Sequence, residues 1–200
     1  MSSLARLRAA GIDAEASTHY PSMSRPNYVS IIAGVPPLWS GVRNNDYDQA
    51  VPLDSVLERA RVAKLGVTFV SQVASGPRVM FGAHVDRTPI IPRASELESA
   101  VVTSLASEDD LVVVLLGAVD IAGHAHGADS PAYAEAVAGV DAMLARVLRH
   151  VDLARETVLV VADHGHIDSG GHGGIEPEGP RCSYSPRSSS SHPGRLDGSW

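Results

Sequence analysis

Apolar positions divide the chain into short helical and strand-like stretches. Leu4 to Ala10 reads as a short amphipathic helix, with Leu4 and Leu7 on one side and Gly11 as its stop. Asn27 to Ala33, NYVSIIA, suits a short buried helix closed by Gly34. GVPPLWSGVRNNDYDQ follows as a loop, marked by paired prolines and Asn/Asp turn formers. Pro52 to Lys64 carries Leu53, Val56, Leu57 and Ala60 at helical spacing, and after Gly66 the run Val67 to Val73 reads as a strand. Glu96 to Leu105 is predicted helical. Two almost wholly apolar runs follow, Leu111 to Gly117 and Thr157 to Ala162. β-branched runs of that length suit strands buried on both faces of a parallel sheet. Between them, Ser130 to Val151 shows a helical pattern through Tyr133, Val137, Val140, Leu144 and Val147, which predicts a crossover unit and an α/β class.

After Glu178 the pattern ends in GPRCSYSPRSSSSHPGRLDGSW, without periodicity and rich in Ser, Pro, Gly and Arg. The expected organisation is one domain over residues 1–178 and a disordered tail over 179–200. With 200 residues, 44% of them hydrophobic, the chain is long enough for one real core. Aromatic residues make up only 4%, so that core rests on aliphatic side chains. A formal net charge of −7 speaks against nucleic acid as a scaffold partner. It leaves a phosphate substrate open, because bound cations reverse the local field. One cysteine, Cys182, allows no internal disulfide. The first twenty residues hold no signal-peptide block and no run reaches membrane-spanning length, so the default expectation is cytoplasmic, with any signal on a missing N-terminal segment. Oligomeric state is left open.

The chemistry gathers where the two apolar runs end. One leads into Asp120-Ile-Ala-Gly-His124 and the other into Asp163-His164-Gly165, the strand ends at which α/β proteins place their sites. Gly170-Gly171-His172-Gly173-Gly174 follows within a few residues. Imidazole and carboxylate are ligands for Zn²⁺, with Mn²⁺ also suited. Asp120 and His124, four apart, would both point at one ion from one turn of helix or from a tight loop. Any one such residue is ordinarily a cap or a solvated group, but five of them in three motifs make a metal cluster the stronger reading. Ser24, ahead of the second helix, is by itself most simply an N-cap.

Together these residues resemble the alkaline phosphatase superfamily, in its type I phosphodiesterase/nucleotide pyrophosphatase branch. Ser24-Arg25-Pro26-Asn27, Ile32 to Pro37 and Gly41-Val42-Arg43-Asn44-Asn45 resemble the nucleophile helix and its following loop, and the three metal motifs match in order. The resemblance implies an alkaline phosphatase-like core with a mostly parallel sheet flanked by helices. It also implies hydrolysis of a small phosphate mono- or diester through a phosphoseryl intermediate, with two divalent ions, Zn²⁺ or Mn²⁺. Asp120, His124 and His172 would hold the ion that activates water; Asp163 and His164 would hold the one that lowers the Ser24 pKa. Ser24 would be the nucleophile, and Asn45 and the Arg25 N–H would bind non-bridging oxygens. His126 and His166, also inside the motifs, are most simply spare histidines, with ligand orientation or substrate contact as the alternative reading. Sulfatases and cofactor-independent phosphoglycerate mutases fit the Ser24 region less well.

The family's first strand, ending in Asp-Gly and supplying a further carboxylate, has no counterpart here, nor does the core beyond the last glycine pair. The fold is therefore expected to be incomplete at both ends. The alternative to an active hydrolase is an impaired fragment that binds at most one metal ion.

Overall fold

The computed structural model describes residues 2–73, 81, 84–172 and, as backbone alone, 181–186. Helix α1 (Ser3–Ala10) is capped by the Ser2 hydroxyl, which accepts from Ala5 N, and buries Leu7. Strand β1 (Ala14–Ser17), helix α2 (Ser24–Ala33) and the short α3 (Pro37–Ser40) follow. Helix α4 covers Val56–Val62, shorter than the apolar spacing predicts. Ser55 adopts the extended N-cap conformation and accepts from Glu58 N at 3.1 Å, fixing the start after Pro52 and Leu53.

Strand β2 (Val67–Ser71) and strand β3 (Leu111–Leu115) pair in parallel, Val67 opposite Leu111 and Ser71 opposite Leu115. Helix α5 (Ala94–Leu105) lies between them in sequence, so β2, α5 and β3 form the crossover. Fully buried β2 is the one that mixes polar with apolar residues, whereas apolar β3 is half-buried throughout. The polar side chains of β2 are satisfied: the Thr68 hydroxyl donates to Asp109 Oδ2 at 2.6 Å and the Ser71 hydroxyl to Val73 O at 2.8 Å.

Helix α6 (Ala118–His126), helix α7 (Pro131–Val147) and a 3₁₀ turn (Leu148–His150) lead to strand β4 (Leu159–Val161). Here the structure departs from the expected sheet. β4 does not join β3 across a β–α–β unit; it pairs antiparallel with β5 (Arg181–Pro186), which pairs antiparallel with β1. The α/β class and the parallel pair hold, but the described strands form two sheets and one of them is antiparallel. A run such as TVLVVA specifies a strand without specifying its partner. β5 also falls inside the segment that composition reads as disordered. Backbone N–H and C=O groups pair without regard to side-chain periodicity, so a Ser-rich stretch between two strands can complete a ladder. Residues 187–200 lie outside the described residues.

Two clusters form the core. Val29, Val42, Leu57 and Val67 join α2 to α4 and β2, and Val70, Leu97, Val101 and Val147 join β2 to α5 and α7. Leu57, at 0% exposure, alone contributes about 2 kcal/mol of burial free energy. No helix among the described residues is long and apolar enough to cross a membrane.

Candidate active site and metal centre

Three elements converge: the N-terminus of α2, the helix α6, and the segment after β4. Asp120 and His124 share one face of α6, with Asp120 Oδ1 3.5 Å from His124 Nε2. The segment after β4 brings His164, His166 and His172 against that face. Gly170 and Gly171, both in the left-handed region (φ +92° and +90°), turn the chain so that His172 returns to the cluster. Hydrogen bonds from Ala128 N to Ile167 O (3.1 Å) and from Gly170 N to Ile167 O (3.0 Å) seat this turn on the end of α6. Gly173 and Gly174 of the motif lie outside the described residues.

Among the described residues, one group offers at least three metal-ligating side chains: Asp120, His124, His166 and His172, whose ligand atoms all lie within 4.8 Å of one another. The structure thus adds His166 to the three residues implied for one ion. Asp163 and His164 stand beside the group, with His164 Nε2 3.3 Å from Asp163 Oδ2 and 3.6 Å from Asp120 Oδ1. His166 Nε2 and Asp120 Oδ1 are 3.3 Å apart but not aligned for a hydrogen bond, and both are buried without a partner among the described residues. A cation is the missing partner such a pair fits, so the donor set suits the ion that the resemblance implies.

The electrostatics point the same way. Burial, and then the neighbouring His164 and His124, lower the His172 pKa to about 4, so at neutral pH its imidazole is uncharged and free to ligate. Burial alone would raise Asp120, but His166, His124 and His164 outweigh it and its pKa is lowered. Burial raises Asp163, against the lowering influence of His164.

Ser24 is not the N-cap of α2. Met23 holds that position, without a side-chain cap, and Ser24 Oγ lies 3.1 Å from His164 Nε2. His164 Nδ1 lies 3.0 Å from Gly165 O; a carbonyl only accepts, so Nδ1 donates there and Nε2 is the ring nitrogen that faces the Ser24 hydroxyl. Asn27, 3% exposed, secures the approach: its Nδ2 donates to Met23 O (2.9 Å) and Pro21 O (3.3 Å). The Arg25 N–H donates to Asn45 Oδ1 at 2.9 Å instead of facing outward for an anion, which leaves Asn45 Nδ2 as the donor. The Arg25 guanidinium turns to the Tyr47 carbonyl.

Sequence reasoning missed Tyr28 and Tyr133. Tyr28, one turn along α2 from Ser24, has its pKa raised chiefly by burial and then by the Asp163 charge, with Ser24 acting in the opposite sense, so it remains a neutral hydroxyl. The i, i+4 spacing from Ser24 was the available signal. Tyr133 of α7 packs edge-on to His166 with ring centres 5.9 Å apart.

Residues 79–177 match the family model of type I phosphodiesterase / nucleotide pyrophosphatase. The matched stretch takes in Asp120, His124, Asp163, His164 and His172 and leaves Ser24, Arg25 and Asn45 outside it. No curated protein matches the sequence. Among solved structures, phosphonoacetate hydrolase from Sinorhizobium meliloti 1021 in complex with phosphonoformate is similar at 18% identity and a TM-score of 0.61, covering 81% of this chain and 50% of that one. Murine ectonucleotide pyrophosphatase / phosphodiesterase 5, inactive and in complex with AMP, is similar at 14% identity and a TM-score of 0.63, over 81% and 51%. Ps i-CgsB in complex with k-i-k-neocarrahexaose is similar at 11% and 0.61, over 92% and 59%. The chain spans about half the length of these structures. At such identities the likeness shows the fold, and that fold carries ligands as different as AMP and an oligosaccharide. The resemblance to the type I phosphodiesterase / nucleotide pyrophosphatase branch of the alkaline phosphatase superfamily stands on the motifs, the family match and the fold together.

Proposed function

We propose that the chain is a metal-dependent hydrolase of small phosphate mono- or diesters, with Ser24 as nucleophile. The observation that carries this reading is the Ser24 hydroxyl, 3.1 Å from His164 Nε2 at the rim of the His/Asp cluster and not employed as a helix cap. Divalent ions held by Asp120, His124 and His172 and by Asp163 and His164, Zn²⁺ or Mn²⁺, would supply Lewis-acid charge to the phosphoryl oxygens.

The remaining steps belong to the chain's own groups. Ser24 Oγ forms the bond to phosphorus as the bond from phosphorus to the ester oxygen breaks; the serine proton passes to solvent, the departing oxygen takes a proton from water, and a second water then hydrolyses the phosphoseryl enzyme to release the phosphate. His164 Nε2, 3.1 Å from Ser24 Oγ, holds the hydroxyl in direction. Asn45 Nδ2, oriented by the Arg25 N–H, donates to a non-bridging oxygen as charge builds there. Tyr28, neutral and one turn away, keeps a hydroxyl beside Ser24 without adding charge.

The test is turnover of p-nitrophenyl phosphate and bis-p-nitrophenyl phosphate by the full chain, with and without added Zn²⁺ or Mn²⁺. Ser24→Ala is expected to lower kcat by on the order of 10³-fold or more, and Asn45→Ala by about 10²–10³-fold. Turnover that survives both chelation and Ser24→Ala would sink the reading. A second reading is favoured by one observation, that the described residues assemble a single group of three or more ligands. It is a chain that binds one ion and turns over little. Metal content decides: two ions per chain with turnover supports the first reading, one ion without turnover the second.

A further inference from the structure

His166 has no assigned task in the chemistry above, yet it is the most enclosed of the four candidate ligands, with its side chain 3% exposed. A buried histidine in an ordinary core uses both ring nitrogens in hydrogen bonds. Among the described residues His166 Nε2 makes none, and neither does the Asp120 Oδ1 it faces. Its seat is built by an omission on α6. Gly123 lies between Asp120 and His124, and a Cβ there would stand 2.5 Å from His166 Cγ and Cδ2 and 2.7 Å from its Nδ1. No side chain other than hydrogen lets this ring lie against the helix at its present place.

The spacing is that of a coordination shell. Nitrogen and oxygen ligands about 2.1 Å from a tetrahedral ion stand roughly 3.4 Å from one another. Asp120 Oδ1 is 3.3 Å from His166 Nε2 and 3.5 Å from His124 Nε2. His164 Nε2 is 3.6 Å from the same oxygen but faces the Ser24 hydroxyl at 3.1 Å. The ring of His172 stacks with that of His166, centres 5.9 Å apart, and lies edge-on to His124 at 4.5 Å, closing the group.

We propose that His166 is itself a metal ligand, completing a centre of three imidazoles and one carboxylate with Asp120, His124 and His172. The donor set selects a borderline transition ion of the Zn²⁺ or Co²⁺ kind over Mg²⁺ or Ca²⁺, which take oxygen. The inference rests on the metal-dependent reading above and deepens it by naming the fourth ligand; water or a phosphoryl oxygen would then have to enter as a fifth donor, an expansion that zinc centres undergo in catalysis.

The experiment titrates the full metal-depleted chain with Co²⁺, following its visible absorption, and competes the bound ion with a chelator of known affinity. The expected result is an intense tetrahedral-type spectrum in the parent, with affinity lowered at least about tenfold in His166→Ala and in Gly123→Ala. His150→Ala, exposed in the 3₁₀ turn after α7 and away from the cluster, should bind as the parent does. Should either substitution unfold the chain, ¹¹³Cd-loaded, ¹⁵N-labelled parent protein answers without a variant. Cadmium–nitrogen couplings to His124, His166 and His172 are expected. No coupling to His166, unchanged Co²⁺ affinity in His166→Ala, or no Co²⁺ spectrum in the parent would each overturn the proposal. A chain that shows the spectrum and couplings but no ester turnover refutes the hydrolase reading alone.

Discussion

Gly127 ends α6 where the segment after β4 crosses it, with φ +81° and ψ 163°, a region open to glycine alone. In Gly127→Ala the new methyl would fall 1.8 Å from Asp168 O and 2.7 Å from its carbonyl carbon, both backbone atoms with no flexible end to yield. Backbone strain of this kind costs about 1–3 kcal/mol, and overpacking against fixed atoms adds about 1–3 kcal/mol. For a chain of this size each kcal/mol moves Tm by roughly 2–4 °C, so the melting temperature should fall by about 8–16 °C for a loss near 4 kcal/mol. Gly139→Ala makes the matched control. Gly139 is exposed within α7, with nothing within 4 Å of an added Cβ, so the same substitution should stabilise by about 0.8–1 kcal/mol and raise Tm by roughly 2–4 °C. Thermal unfolding followed by far-UV circular dichroism reads both. The reasoning fails if Gly127→Ala melts within a degree or two of the parent, or if Gly139→Ala melts lower.

Three further outcomes follow from the same geometry. Asp141 of α7 accepts from Ser3 N and Leu4 N, both at 2.9 Å, across the start of α1, and Asp141→Ala should cost about 2–3 kcal/mol in urea unfolding because it strands those donors; a change below about 0.5 kcal/mol would refute it. Those same bonds, Leu4 first, lower the Asp141 pKa, so its contribution should be full at neutral pH and fade as pH drops through the depressed folded value. Thr68→Val removes a hydroxyl that donates to Asp109 Oδ2 and accepts from Arg87 Nε at 3.0 Å, and should lower stability by about 1–2 kcal/mol; if instead the protein is stabilised, the buried network adds nothing. In metal-depleted protein the His172 pKa of about 4 lies below its ordinary 6.5, so between those values the unfolded chain binds the extra proton and stability should fall as pH drops from 6.5 to 4. Urea midpoints at pH 4.5 and 7.5 check this, and a slope just as steep in His172→Asn would assign the effect elsewhere.

Periodicity made α1, α2, α5, α7 and the existence of β2, β3 and β4 legible, because each needs only its own face and its caps. Partnership between strands was not legible. Leu111–Leu115 and Leu159–Val161 read alike in sequence, yet one pairs in parallel with β2 and the other antiparallel with β5. Nor does apolarity measure burial across strands: β2 owes its fully buried place to Asp109 and Arg87, which satisfy Thr68 from distant positions. In the site, residue types and spacing sufficed to nominate Asp120, His124 and His172. They could not show that the Arg25 N–H is already bonded to Asn45, because that depends on how the loop after α3 folds back 20 residues later.

The glycines around the ligands carry the remaining lesson. A glycine beside a histidine reads in sequence as freedom of the backbone, and at Gly170 and Gly171 the positive φ values agree. On α6 the reason differs. Asp120 and His124 occupy one face at i and i+4, while Gly123 and Gly127 leave the neighbouring face bare for the segment after β4. His166 lies where a Cβ of residue 123 would be, and Asp168 O where one of residue 127 would be. One helix therefore offers candidate ligands on one side and a bed for the other candidates on the next, which is why Asp-x-x-Gly-His-x-x-Gly says more than Asp-x-x-x-His. If so, the two glycines should be separable by experiment. Gly123→Ala should act mainly on metal affinity, since a side chain can swing away from it, and Gly127→Ala mainly on stability, since a backbone cannot.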